Sequence, residues 1–347
     1  MPSDLPLMLQ TTYADLLDRA RDDAFAESFP AGGTFVAKTL RNRRYWYFQT
    51  SSPEGRTQKY VGPETPALLE RIEAHRAERT NLRDRRGLVS MLVRSGGLPR
   101  PLPAIGDIVA ALAAAGVFRL RGVLVGTVAF QTYPAMLGVR LSGTAVQTND
   151  IDVAQFADVS LAVREQTAPM LDVLRGADPT FRAVPHLHAP NEVTYAASNG
   201  LRVDFLAPNR GRESEIPYRL PAFGTDAQPL RFLDFLIRDP EPAVLLHGTG
   251  VLVSVPAPAR FALHKLIVSR RRREGDAKRD KDLAQARTLL EALVHRHPAD
   301  LRAAWEEATG RGRTWQRLLS EGLAGIDPRI QEKVLATVGN LTQPTES

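Results

Sequence analysis

Residues 149–154 read Asn-Asp-Ile-Asp-Val-Ala, and this stretch restricts the fold more than any other part of the chain. Acidic and apolar residues alternate there with a period of two, the period of a half-buried strand. A strand of this kind turns the carboxylates of Asp150 and Asp152 to one face and Ile151 and Val153 to the core, a disposition suited to hard cations. A second alternating stretch, Leu-Arg-Val-Asp-Phe-Leu at 201–206, carries Asp204. It follows Ser198-Asn199-Gly200, the strongest short hairpin signal in the chain, with residues 192–196 as the other arm. Upstream, residues 104–117 predict a helix with Ile105, Ile108, Val109, Leu112 and Ala115 inward. Residues 118–125 predict a strand that runs into Gly126-Thr127.

With 347 residues the chain is long enough for two or three units of ordinary domain size. It contains no cysteine, which excludes a disulfide framework, thiolate metal sites and a cysteine nucleophile, and fits a reducing cytosol. No run reaches the roughly 18 apolar residues of a membrane span. The stretch from Met1 to Asp15 has no basic region followed by an apolar core of signal-peptide type. A cytoplasmic protein without a membrane partner is therefore expected. The formal charge of +6, largely from arginine, favours polyanionic partners such as nucleic acid or nucleotide phosphates.

The pattern elsewhere divides the chain in three. Residues 11–28 predict an amphipathic helix, with Tyr13, Leu16, Leu17, Ala20 and Ala24 near one face. Residues 34–40, 44–50 and 57–61 predict a small antiparallel meander, and 66–95 a charged helical segment. The breaker-rich Gly96–Pro103 then places a boundary, giving an N-terminal module over 1–95. A central region follows over 104–255, in which Val159–Val163 predicts a further strand and Ala168–Leu174 a helix. From about 256 to 340 the pattern is helical, and the polar tail 342–347 is expected to be disordered.

Taken together, the order helix, strand, Gly-Thr, helix, Asp-Ile-Asp and then a third Asp on a later strand resembles the polymerase-β-like nucleotidyltransferase superfamily. The residues that carry the likeness are Leu-Val-Gly-Thr-Val-Ala-Phe (124–130), Asn-Asp-Ile-Asp-Val-Ala (149–154) and Leu-Arg-Val-Asp-Phe-Leu (201–206). Two later stretches, 259–272 and 278–293, are similar to the lysine-bearing and acid-bearing helices of bacterial abortive-infection, toxin-type nucleotidyltransferases. The resemblance covers roughly 104–295, with a longer interval between Thr127 and Asp150 than compact members use.

The fold implied is α+β: a polymerase-β-type mixed sheet with flanking helices, an N-terminal β-meander module and a C-terminal helical subdomain. The chemistry implied is attack by an acceptor hydroxyl on the α-phosphorus of a nucleoside triphosphate such as ATP, with two Mg²⁺ (or Mn²⁺) ions held by Asp150, Asp152 and Asp204. Gly126 and Thr127 would approach a phosphate through backbone amides and the hydroxyl. Lys265 would meet the triphosphate, supported by Asp282 or, less well placed, Asp280. An RNA acceptor, a tRNA 3′ end in the toxin-like case with a cognate antitoxin or regulator as partner, is one implied reading. Transfer to a protein or small-molecule hydroxyl is a second, and a non-catalytic nucleic-acid-binding protein that keeps the fold is a third.

Each candidate also has an ordinary structural reading. Lys265 lies among Phe261, Leu263 and Leu266, where a lysine can snorkel from a packed helix. Arg270, Arg271, Arg272 and Arg273 could grip RNA phosphates or form a solvated helix end. Arg43 and Arg44 border the aromatic run 45–48, which could stack bases or cover the meander's own core. His186 and His188 have a spacing that permits a metal but no further ligand nearby, so they read as loop. His264 reads as packing beside the site.

Overall fold

The structure, a computed structural model, describes residues 2–28, 34–40, 43–52, 55–74, 82–141, 148–162, 165–185 and 192–339. The chain opens with β1 (Ser3–Asp4) and α1 (Leu7–Ser28), followed by β2 (Thr34–Leu40), β3 (Arg43–Ser52) and β4 (Gly55–Pro63). These three strands form the expected antiparallel meander in the order β2-β3-β4. Phe48 is buried and meets Phe35 at 4.8 Å, while Tyr47 lies edge-on to Tyr60 at 5.6 Å. The aromatic run thus serves the meander's own packing in part. Helices α2 (Pro66–Ala74) and α3 (Leu82–Arg94) follow.

Helix α1 buries Leu9, Tyr13, Leu16 and Ala20, a stripe at helical spacing. That stripe joins Val89 and Leu92 of α3 in a core that also contains Ala135, Val244 and Leu246. The smaller of the two cores therefore draws residues from both sides of Gly96–Pro103. Tyr13 accepts the backbone N–H of Val244 at 3.2 Å, and burial pushes its pKa up to about 12.

The central region runs α4 (Pro103–Ala114), β5 (Val123–Val125), α5 (Gly126–Phe130), α6 (Tyr133–Met136), β6 (Val139–Arg140) and β7 (Asp150–Ala154). Next come α7 (Ala157–Ala162), α8 (Met170–Ala177), β8 (Arg182–Val184), β9 (Thr194–Ala196) and β10 (Arg202–Pro208). It ends with β11 (Tyr218–Leu220), β12 (Thr225–Leu230), α9 (Leu233–Leu236), β13 (Glu241–Leu245) and β14 (Val251–Val255). The main sheet is mixed, in the order β11-β12-β10-β7-β5, with β9 on β10 and β8 on β9. Strand β7 lies parallel to β10 and antiparallel to β5.

Two expectations are corrected. Residues 118–122 are not strand: Gly116 (φ 85°) and Arg121 (φ 73°) turn the backbone there, and Gly122 N–H closes back on Val117 O at 2.9 Å. Only Val123–Val125 enter the sheet. Residues 157–162 form α7 instead of a strand, because β10 and β5 already occupy both edges of β7 and the chain must leave the sheet.

The C-terminal part is helical as expected: α10 (Pro258–Ser269), α11 (Ala277–Arg296), α12 (Pro298–Gly310), α13 (Arg313–Leu323) and α14 (Pro328–Val338). It shares one apolar core with the sheet. Phe261 of α10 packs on Tyr133 at 5.0 Å and on Phe130 at 6.0 Å. This contact carries α10, and with it Lys265, to the carboxylate face of β7. The tail from 340 onward lies outside the described residues.

Candidate active site

Strand alternation along β7 buries Ile151 and Val153 and leaves Asp150 and Asp152 on the other face. The parallel register sets Asp204 of β10 directly beside Asp152, and on the opposite edge Val125 of β5 is the partner of Asp152. The chain then turns away at Gly126 with φ 68°. A Cβ at Gly126 would collide with Oδ2 of Asp152. Glycine is therefore needed twice over, for the backbone angle and for the close approach of the carboxylate. Thr127 follows, buried in the first turn of α5.

Asp204 accepts a hydrogen bond from the Thr194 hydroxyl, and Arg202 lies 3.5 Å from the same carboxylate. Thr194 is the register partner of Asp204 across the β9–β10 hairpin. The pKa of Asp152 rises from 3.8 to about 7, first through burial and then through the charge of Asp204, with Asp150 adding to the effect. Lys265 is the strongest opposing influence, followed by Lys278. The acid edge thus concentrates negative charge that the surrounding lysines only partly offset.

Asp282 of α11 is buried, its side chain 3 % exposed, and it binds two cations: Lys265 Nζ at 2.5 Å and Arg272 Nε at 2.6 Å. Lys265 also lies 5.3 Å from the centre of the Phe261 ring. The pKa of His264 is pushed down to about 3 by burial and by neighbouring Lys265, so its imidazole is neutral. Lys281 titrates below its ordinary value, through burial and Lys265, against the opposing charges of Asp282 and Asp150. One end of the sheet and three helices, α5, α10 and α11, therefore bring together Asp150, Asp152, Asp204, Gly126, Thr127, Lys265 and Asp282. Asp280 is exposed on α11.

The arginines are distributed differently. Arg270 lies 3.7 Å from Glu321, and Arg271 lies 2.5 Å from Glu213 and stacks over Phe232. Arg272 turns inward to Asp282, and Arg273 is exposed. On the meander, Arg44 pairs with Glu64 at 3.5 Å, and Arg43 is opposite Leu40 in the β2–β3 register. Lys59 of β4 meets Glu165, which also holds Arg119. Nearby Leu120 O accepts from Gln155, at the far end of β7 from Asp150. The meander's contact with Glu165 thus lies on the side of Arg119 and Leu120, toward the end of β7 opposite Asp150. His186 and His188 lie outside the described residues.

Thr194 and Arg202 were not singled out from the sequence. The hairpin signal could have found Thr194, since pairing across the turn at 198–200 sets it opposite Asp204. Among the described residues, no three acidic or imidazole side chains are gathered tightly enough to enclose an ion. Also among the described residues, no helix is long and apolar enough to cross a membrane.

A nucleotidyltransferase family pattern matches residues 104–310, more than half of the chain and the whole of the sheet that carries the acids. The chain belongs to this nucleotidyltransferase family. It is a transferase of the class that moves a nucleotidyl group from a nucleoside triphosphate. The searches of curated proteins and of solved structures gave no match.

Proposed function

We propose that this nucleotidyltransferase moves a nucleoside monophosphate from a triphosphate to an acceptor hydroxyl with divalent cations held by Asp150, Asp152 and Asp204. The observation that carries the reading is the side-by-side register of Asp152 and Asp204 next to the side-chain-free backbone of Gly126. In donor chemistry, though not in their present spacing, the residues suit hard cations. Their donors are carboxylate oxygens, the set that Mg²⁺ and Mn²⁺ prefer, and the raised pKa of Asp152 marks charge that a cation would neutralise. Bound there, the ions would polarise the phosphates and favour the attacking and leaving oxygens.

In this reading Asp204, oriented by Thr194, stands nearest an acceptor hydroxyl and orients it or takes its proton. Lys265 offers an ammonium to the phosphates, while Asp282 fixes its direction and Arg272 balances the buried acid. Neutral His264 adds no charge beside Lys265. Gly126 lets the triphosphate approach the backbone.

For the acceptor, RNA is supported by Lys278, Lys281 and Arg202 beside the acids and by the net charge of +6. A protein or small-molecule acceptor is favoured by one contrary observation: Arg270, Arg271 and Arg272 are each engaged by an acid of the chain itself. The toxin-type role and its antitoxin partner rest on the sequence resemblance alone. Incubation with each α-³²P-labelled nucleoside triphosphate, Mg²⁺ and a total lysate, separated into RNA, protein and small-molecule fractions, tests the reading. Label in RNA supports the first acceptor and label in protein or a small molecule the second. Absence of label from all fractions, with every triphosphate, would sink the proposal.

A further inference from the structure

A cavity of about 650 Å³ lies between α3, the linker that precedes α4, and the turn joining β13 to β14. None of Asp150, Asp152, Asp204, Lys265 or Asp282 lines it. Its walls are apolar at Val89, Val93, Leu246, Pro101 and Pro103, and its charges all have one sign: Arg86, Arg94 and Arg100, with no acid in the lining. The three arginines are exposed, and none has an acidic partner among the described residues.

The walls are also held in place. Buried Arg85, next to Arg86, donates to Thr249 O at 2.9 Å and Gly250 O at 2.6 Å, tying α3 to the β13–β14 turn. On the other side, His247 donates to or accepts from Asp107 at 2.8 Å. Its ring lies so close to Gly106 that any Cβ there would collide with it. The cavity is therefore part of the packed structure, and its volume falls within the range of ordinary ligand sites, roughly 300–1,000 Å³.

We propose that this cavity is a second binding site, separate from the acid edge, for a ligand that carries at least two phosphate groups. Guanidinium forks match phosphate oxygens in a bidentate manner, and three uncompensated arginines over apolar walls favour a phosphorylated ligand with an apolar or planar body. Arg86, Arg94 and Arg100 together present more guanidinium N–H donors than the oxygens of one phosphate group take up. The lining contains no phenylalanine, tyrosine or tryptophan, and its one ring, the His247 imidazole, is packed against Gly106, so successive bases have no platform to stack on. The phosphates, not the bases, are thus the recognised part, and they could belong to a free nucleoside polyphosphate or to a single-stranded RNA segment. The inference does not rest on the roles proposed for the acids.

The test uses the full chain and the Arg86→Gln/Arg94→Gln/Arg100→Gln triple variant, with Ser90→Glu as a second variant that adds a negative charge to the same cavity. Affinity is measured for ATP and for a ten-nucleotide oligoribonucleotide with a blocked 3′ end, both without divalent cation and over a range of salt. The expected result is a Kd at least tenfold weaker for one of the probes in both variants, with the oligonucleotide salt slope flattened by about 2 in the triple variant. Loss of the oligonucleotide alone identifies an RNA segment as the source, and loss of ATP identifies a free nucleotide. Unchanged affinity and salt slope for both probes in either correctly folded variant would overturn the proposal. A Lys265→Ala control keeps the result distinct from failure at the acid edge, because it should leave the arginine-dependent share of binding in place.

Discussion

Arg270, Arg271 and Arg272 stand in an unbroken run and are each engaged by a carboxylate of the same chain, whereas Arg86, Arg94 and Arg100 are scattered in sequence and converge on a cavity without an acid. The acids divide in the same way. Asp282 is buried between Lys265 and Arg272, while Asp150, Asp152 and Asp204 stand together on two neighbouring strands, where the charges of Asp204 and Asp150 add to burial in raising the proton affinity of Asp152. Charge contiguous in sequence is therefore a poor guide to charge available for a ligand. Tertiary structure decides which groups neutralise one another, and the uncompensated sets mark the places where a ligand of opposite sign gains most.

The largest effect that would sharpen this contrast is on activity. Asp152→Asn should lower nucleotidyl transfer by about a thousandfold or more, since cation-assisted charge stabilisation amounts to several kcal/mol. Asp150→Asn should do the same and Asp204→Asn somewhat less, each with an unchanged circular dichroism spectrum. Rates of label transfer from α-³²P nucleoside triphosphate would show it, and wild-type rates in Asp152→Asn would break the contrast outright.

Asp282, the neutralised acid, should instead reveal itself in stability. Asp282→Ala leaves Lys265 and Arg272 without their buried counter-ion and should cost about 3–5 kcal/mol in urea unfolding. Glu213→Ala, which removes the exposed partner of Arg271, should cost less than about 1 kcal/mol. Equal costs would show that burial does not distinguish the two pairs.

A smaller effect follows from the titration of Asp152. Its folded pKa lies near 7, above the ordinary 3.8, so the folded protein binds more protons than the unfolded chain between those values. The cation-free protein should therefore lose stability as pH rises from about 4 to 7, with the full penalty present above 7. Melting temperatures should fall by a few degrees over that interval, recover when Mg²⁺ is added at pH 8, and become flatter with pH in Asp152→Asn. The smallest effect is expected at Arg271: Arg271→Gln should change stability by less than about 0.5 kcal/mol and leave the salt dependence of oligonucleotide binding as it is in the unaltered chain. A marked loss of salt dependence there would return the arginine run to the set of available charges.

Much of the acid edge was legible because its signals are local. A period of two fixed which face Asp150, Asp152 and Asp204 occupy, and the turn at 198–200 fixed the strand that bears Asp204. Gly126 announced a backbone that approaches something closely, although only the structure shows that this is the Asp152 carboxylate. The failures have physical causes. Residues 118–122 alternate like a strand, yet the left-handed backbone at Gly116 and Arg121 curls them into turns. Val159–Val163 is rich in apolar and β-branched residues, but no free edge of β7 was left to receive it. The acids that neutralise Arg270 and Arg271 lie some fifty residues away in either direction, at Glu321 and Glu213, so no local pattern could pair them. For the same reason the cavity beside α3, built from a helix, a linker and a distant hairpin turn, left no trace in the sequence.

The central claim, that Asp150, Asp152 and Asp204, whose charge the chain's own cations only partly offset, hold divalent cations, is tested most directly by titrating Mn²⁺ into the protein with a non-hydrolysable nucleoside triphosphate and following free Mn²⁺ by electron paramagnetic resonance. Two ions per chain should bind in the unaltered protein, and Asp152→Asn should weaken at least one of them by tenfold or more. Mn²⁺ binding of the same stoichiometry and affinity in both proteins would contradict it.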